Sequence, residues 1–426
     1  MGLAVLLGLF ALCVAIGLPV AFSLGIAAIA AFSYEGLPLM IGFQRIISGI
    51  NIFSLMAIPF FIFAGELMFH GGIAARLVRF ASAAVGAARG GLGIVNVFSS
   101  MLFGGISGSA VADISALGSI LVPVMKEKGY DDDYAVNVTV TSSIAGIIIP
   151  PSHNMIIYAI AAGGGISISS LFLAGVVPGI LMCVCLAATA YIVAVKRGYQ
   201  AEVFPGWRGL ALSFVGAVPG LLTAVIIVGG VLSGVFTVTE SGAFGAIYAF
   251  VVTLLVYRSI TLENFRLAVV QSVRTTSMVM ILIACAGAFA YMLTFYQVPT
   301  KTIGLLTGLT DNPILILLMI NLILLVLGMI MDMAALILIC TPIFLPIAQS
   351  LNIDPLQFGM ILLVNLGLGL CTPPVGSCLF VGCAVGKIPI EKAVRTIWPF
   401  YLAIFVALML ITFVPAISLT LPNLLR

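Results

Sequence analysis

Charge is what this sequence has least of: Asp, Glu, Lys and Arg together make up 7% of its 426 residues, where a soluble chain carries roughly 25%. That shortage excludes a soluble enzyme, a nucleic-acid binder and a disordered protein. Histidine and tryptophan are scarce too, with two of each. The eight cysteines sit in apolar runs with no C-x-x-C pair, so neither a disulfide framework nor a metal knuckle is expected, and they read as packing residues. The apolar start, Met1–Ala31, has no leading Lys or Arg and no small-residue cleavage site opening onto a polar chain. It is expected to be a retained membrane segment, either one long span or two short ones broken at Gly17 and Pro19.

What is abundant is apolar. Hydrophobic residues make up 62% of the chain, which predicts an all-α polytopic membrane protein. Gly (45) and Pro (20) are unusually frequent and predict interrupted helices. An internal repeat at an offset of 223 locates them: Gly105 matches Gly328, Pro123 Pro346, Asp131 Asp354, Gly146 Gly369, Pro150-Pro151 Pro373-Pro374, and Gly163 Gly386. Duplicated halves in a membrane protein point to a secondary transporter with a central site.

The positive residues set the orientation. Placing Arg76–Arg89, Lys126/Lys128, Lys196–Arg208, Arg258–Arg274 and Lys387–Arg395 on the cytoplasmic side leaves only Arg45, Lys301 and Arg426 of 17 outside. Copy two has no Lys or Arg between Lys301 and Lys387, so equivalent places carry opposite charge character and the repeat is predicted to be inverted. Both ends of 91–125 then face the cytoplasm. Two arms of about 15 residues span only about 22 Å each, short of a hydrocarbon core of about 30 Å, so the segment is a re-entrant hairpin. The predicted turns are Gly104–Ser109 and Gly328–Asp332. Each hairpin is followed by a helix broken at a double proline. The prolines remove two N–H donors and free the carbonyls of Gly146, Ile147, Gly369 and Leu370.

The expected division follows. Residues 1–50 are N-terminal scaffold helices. Repeat one, 51–167, holds an arm helix (Ile73–Val85), a hairpin over 91–125 and a broken helix over 134–162. Residues 168–258 are scaffold. Repeat two, 259–390, holds an arm helix (Ser259–Val270), a hairpin over 313–348 and a broken helix over 358–385, and 391–426 is a final scaffold helix. Polar residues gather at the predicted midplane. Hydroxyls, a carboxylate and freed carbonyls form an oxygen-only set suited to sodium, which assigns Gly105, Ser107, Ser109, Gly146, Pro150 and Asn154 to one cation site. Gly328, Asp332, Gly369, Thr372 and Ser377 form the other. Ser107, Ser109, Asp113, Ser152 and Asp332 are assigned to an organic anion drawn between them by half-helix N-termini. Asp113 and Asp332 are functional candidates because a carboxylate at this depth is costly, with N-capping as their structural alternative. No cofactor is expected.

Two motifs weigh less. Gly105-Ile106-Ser107-Gly108 with His153 imitates an intramembrane serine protease, but the second copy has neither nucleophile nor base. Gly382–Lys387 is one residue short of a phosphate loop and has Ile388 where Ser or Thr is needed.

The runs Phe103–Asp113, Ile149-Pro-Pro-Ser152, Leu368–Gly376, Gly17–Phe22 and Ala57–Leu67 resemble the large membrane subunit of tripartite ATP-independent periplasmic (TRAP) transporters. The resemblance implies an elevator-type carrier in the bacterial inner membrane that imports an organic acid with sodium as its coupling ion. Sialic acid (N-acetylneuraminate) is the first candidate substrate and a C4-dicarboxylate the second. It also implies a separate small four-helix membrane subunit and a periplasmic substrate-binding protein as partners. The alternative is a stand-alone sodium–dicarboxylate symporter.

Overall fold

A computed structural model describes residues 1–310 and 312–425, and the side chains of Ile106, Ser107 and Thr307 lie outside the described residues. The described residues are helical, with one isolated bridge between Arg89 and Ala201 in place of any sheet. Among the described residues six helices are long and apolar enough to cross a membrane, or up to eight if two bent pairs count as single spans.

The N-terminal run is two short helices, Gly2–Ala15 and Val20–Tyr34, because Gly17 takes φ +86° and Pro19 stands before the second helix. Leu39–Ile50 follows as a third. The arm helix Ile73–Val85 has the predicted bounds. Its expected counterpart does not stand alone. Ser259–Val270 is absorbed into one helix, Leu262–Phe295, of 34 residues, about 51 Å long. The polar face carrying Glu263 and Arg266 runs into the apolar stretch after it with no Gly or Pro between to stop the helix.

Both hairpins form. The first runs through Gly91–Ser107, turns at Gly108 (φ +64°), and returns through Ala110–Asp113, a π-helical turn at Ile114–Gly118 and Ser119–Glu127. The second runs through Pro313–Gly328 and returns as Met333–Ser350. The return arms are longer than the 15 residues expected, and Met333–Ser350 alone satisfies the length and composition of a span. The first turn is also tighter than expected, since Gly104–Ser107 continue the helix. Glycine tolerates a turn without requiring one, and only the position with positive φ needs it here.

The first broken helix comprises Asp132–Ser142 and Ala145–Ile148, then His153–Ala161 after a 53° bend. The second comprises Pro355–Leu370 and Ser377–Gly386. In both, the bond between the paired prolines is cis. The halves are exchanged between copies. Each broken helix lays its first half on its own hairpin, Ala145–Ile148 on Gly91–Ser107 and Pro355–Leu370 on Pro313–Gly328. Each lays its second half on the other hairpin's return arm, His153–Ala161 on Met333–Ser350 and Ser377–Gly386 on Ile114–Gly118. Ile168–Lys196 packs against both broken helices, the first hairpin and Trp398–Phe413. Val238–Val251 and Leu262–Phe295 instead pack on Ala57–His70, Leu262–Phe295 also on Val20–Tyr34 and Leu39–Ile50, and Gly206–Leu232 packs on Val238–Val251 and Ile73–Val85.

The ends predicted to face the cytoplasm meet in an ion-pair cluster. Arg197 is bidentate to Asp133 (3.0 and 2.8 Å) and reaches Asp131 at 3.0 Å. Asp132 takes Lys126 at 3.1 Å and Lys392 at 3.2 Å, and Lys128 meets Glu202 at 3.3 Å. The side chain of Asp133 is only 9% exposed, so Arg197→Ala leaves a nearly buried carboxylate unpaired and should cost about 1–3 kcal/mol. The exposed Lys128–Glu202 pair is worth less than about 1 kcal/mol. Thermal unfolding in detergent should therefore separate Arg197→Ala, clearly destabilised, from Lys128→Ala, nearly unchanged.

Candidate functional site

The first turn and the first break meet inside the protein. A methyl group built on Gly105 would lie 3.0 Å from the Pro150 carbonyl oxygen, and one on Gly104 would lie 2.5 Å from the Cα of Gly146. Only glycine permits that approach. Asn154 Nδ2 donates to the Gly108 carbonyl at 3.1 Å, so the second half of the broken helix holds the hairpin tip. Ser152 is fully buried and its hydroxyl has no protein partner, nor has Nδ1 of the buried His153. Ser109 caps the return arm by accepting from the Ala112 N–H at 3.4 Å. Ser107, assigned to this site from the sequence, has its side chain outside the described residues.

The second site repeats the plan with other atoms. Gly328 packs on Gly369, where a methyl on Gly369 would lie 2.6 Å from the Gly328 Cα. The Met329 carbonyl accepts from Val375 N–H at 3.0 Å, which ties this turn to its break. Asp332 accepts from the Ala334 N–H at 3.0 Å. At the offset of 223 Asp332 is the equivalent of Ser109, and both are N-caps. The residue as a whole is also exposed. Ser377, the equivalent of Asn154, has a buried hydroxyl without a protein partner. The contacts thus bring Gly105 to Pro150, Gly104 to Gly146 and Asn154 to Gly108 at the first turn, and Gly328 to Gly369 and Met329 to Val375 at the second.

Three expectations change. The Gly369 carbonyl is not free, because the Thr372 N–H donates to it at 2.9 Å in a tight turn just ahead of the prolines. The Thr372 hydroxyl donates to the Leu368 carbonyl at 2.7 Å, leaving lone pairs but no proton for a ligand. Asp113 caps nothing and no hydrogen bond joins it to turn or break. It is 1% exposed, lies one turn into the return arm, and its carboxylate has no protein partner.

A polar seam went unassigned. Asn96 donates to Thr139 at 2.6 Å and accepts from Ser142 at 3.1 Å, and Ser100 pairs with Ser142 at 3.0 Å. In copy two Asn365, the equivalent of Ser142, donates to Asn321 Oδ1 at 2.8 Å. Each seam rivets a broken helix to its hairpin. Its signal in the sequence is a polar residue one helical turn from another on an otherwise apolar arm, Asn96 with Ser100.

The chain resembles known proteins over its whole length. Residues 7–417 match the family model described as "Tripartite ATP-independent periplasmic transporter, DctM component". An uncharacterized protein, YgiK, of Salmonella typhimurium is 42% identical, covering 99% of this chain and 97% of its own. The sialic acid TRAP transporter large permease protein SiaM of Vibrio cholerae is 37% identical, covering 96% and 95%. The C4-dicarboxylate TRAP transporter large permease protein DctM of Rhodobacter capsulatus is 35% identical over the full length of both chains. Among solved structures, the YdaH transporter of Alcanivorax borkumensis has a similar fold, with a TM-score of 0.65 at 13% identity over 90% of each chain.

Proposed function

The chain belongs to the DctM-component family of tripartite ATP-independent periplasmic transporters, as a large permease of the bacterial inner membrane, and from that premise we propose that it imports an organic acid together with sodium by an elevator motion. It is a transporter component and not an enzyme, which sets aside the protease reading of Gly105–Gly108. The family implies a small membrane subunit and a periplasmic binding protein.

The observation that carries the coupling is the pair of equivalent sites where a hairpin turn meets a broken helix, each offering oxygen ligands and buried hydroxyls without protein partners. A hard monovalent cation takes such ligands. The first substrate candidate is sialic acid and the second a C4-dicarboxylate. Relatives named for each are similarly close, and both substrates are carboxylates that the exposed Asp332 turn and the half-helix N-termini would face across bound sodium. The moving body would hold both hairpins and both broken helices. It would also hold Ile168–Lys196 and Trp398–Phe413, which pack on them, so the scaffold of this proposal is smaller than the 168–258 block expected from the sequence. The four-helix form of the partner is likewise part of the proposal.

A singly charged anion carried with two or more sodium ions brings net positive charge inward. Vesicles holding the permease, the small subunit and the binding protein should therefore accumulate sialic acid on a sodium gradient, and faster when the inside is made negative. Uptake indifferent to both sodium and potential would refute the coupling. Uptake by this chain alone would favour a stand-alone symporter.

A further inference from the structure

The two copies agree at their turns and breaks and disagree deeper in the hairpins. Asn96, Ser99, Ser100 and Asp113 of the first hairpin are all buried; at the offset of 223 the second has Met319, Leu322, Ile323 and Leu336. Asn96 and Ser100 belong to the seam, but the place of Asp113 is filled in the second copy by the equally buried Leu336, so the fold itself does not call for a carboxylate there. Asp113 is the extreme case. Among the described residues both carboxylate oxygens lack a protein partner, as does the fully buried Ser99 hydroxyl. The Ser100 hydroxyl lies near Asp113 but closes no hydrogen bond of ordinary geometry with it and is paired with Ser142.

Among the described residues, the elements packed on it bring no counter-charge. The elements packed against Ala110–Asp113 are Gly91–Ser107, Ile114–Gly118, Ala145–Ile148 and Ser377–Gly386, and they contain no Lys, Arg or His. Their only titratable groups are the thiols of Cys378 and Cys383. Ile168–Lys196 brings the Cys183 thiol into the field of Asp113 and has its one Lys at the far end. A lone carboxylate at membrane depth without a compensating group is too costly to carry across charged.

Resting on the coupled-carrier reading above, we propose that Asp113 anchors a third cation site, without a counterpart in the second copy, that takes one small monovalent cation, sodium or a proton, in each transport cycle. The carboxylate supplies the charge, and the Ser99 and Ser100 hydroxyls lie on the facing arm one turn from the Asn96–Ser142 seam.

The test is the accumulation ratio in vesicles holding all three components at clamped zero potential, under a tenfold sodium gradient or a one-unit pH gradient applied separately. Each coupled cation multiplies accumulation by about tenfold under its own tenfold gradient. Asp113→Asn should lose about tenfold in the sodium arm if the cation is sodium, or in the pH arm if it is a proton. Equal accumulation by Asp113→Asn and the parent in both arms would overturn the proposal while leaving two-site sodium coupling intact. A parent indifferent to both gradients would overturn the coupled-carrier reading, and this proposal with it. Should Asp113→Asn fold without transporting, the melting temperature of the purified protein decides: Asp113→Asn and Asp113→Leu should both flatten its dependence on sodium or on pH, and curves parallel to the parent's would again overturn the site.

Discussion

Asp332→Asn should fold as well as the parent and transport far less. Asn and Asp are similar N-caps, so the hydrogen bond to Ala334 N–H can be kept and the stability change should stay within a few tenths of a kcal/mol. Asp332→Ala loses the cap as well and should be less stable by about 1 kcal/mol. Both variants remove the charge from an exposed turn where cation and substrate would meet. A hydrogen bond or contact to a charged group is worth about 1.5–3 kcal/mol, which translates to roughly a 10- to 150-fold weaker apparent sodium or substrate affinity. Measuring unfolding and sodium-dependent uptake on both variants separates the two roles. If Asn restores transport along with stability, the residue is a cap alone.

The second large effect belongs to a residue with no polar side chain. Gly369→Ala should impair the carrier although it adds one methyl, because that methyl would lie 2.6 Å from the backbone of Gly328, which cannot rotate away. The hairpin must shift instead, at a cost of about 1–3 kcal/mol, and the shift falls where the second cation site is built. Transport should fall at least about tenfold, with a lowered melting temperature. Gly229→Ala is the control: nothing lies within 4 Å of its added methyl, and in the last turn of Gly206–Leu232 the change to Ala should be neutral or slightly stabilising. Equal behaviour of the two variants would mean that the close approach of Gly328 and Gly369 does not matter.

The sequence made the large features legible because they repeat. A double proline at one offset and a charge map that changes character between copies are enough to place two hairpins and two breaks, and Ile73–Val85 emerges with its bounds. Hydrogen-bond geometry was not legible. Freed carbonyls could be counted from prolines, yet Thr372 N–H recaptures one of them by tightening a single turn. Which of the two aspartates is a cap was not legible either, since capping depends on the residue at which the helix starts. The match of Ser109 with Asp332 held that information: Ser is a preferred cap, and its partner in the other copy inherits the position. The single helix Leu262–Phe295 was missed because amphipathicity marks a face, not an end.

The exchanged halves of the broken helices have a consequence for how the chain can be divided. In a simple tandem duplication each copy is a folding unit, and one could be expressed without the other. Here each copy completes its own core only with a leg lent by its twin, His153–Ala161 going one way and Ser377–Gly386 the other. Cut between the copies, both pieces would expose a hairpin flank that nothing in the same piece can cover. The two copies are therefore interlocked as the two chains of a swapped dimer are, inside one polypeptide.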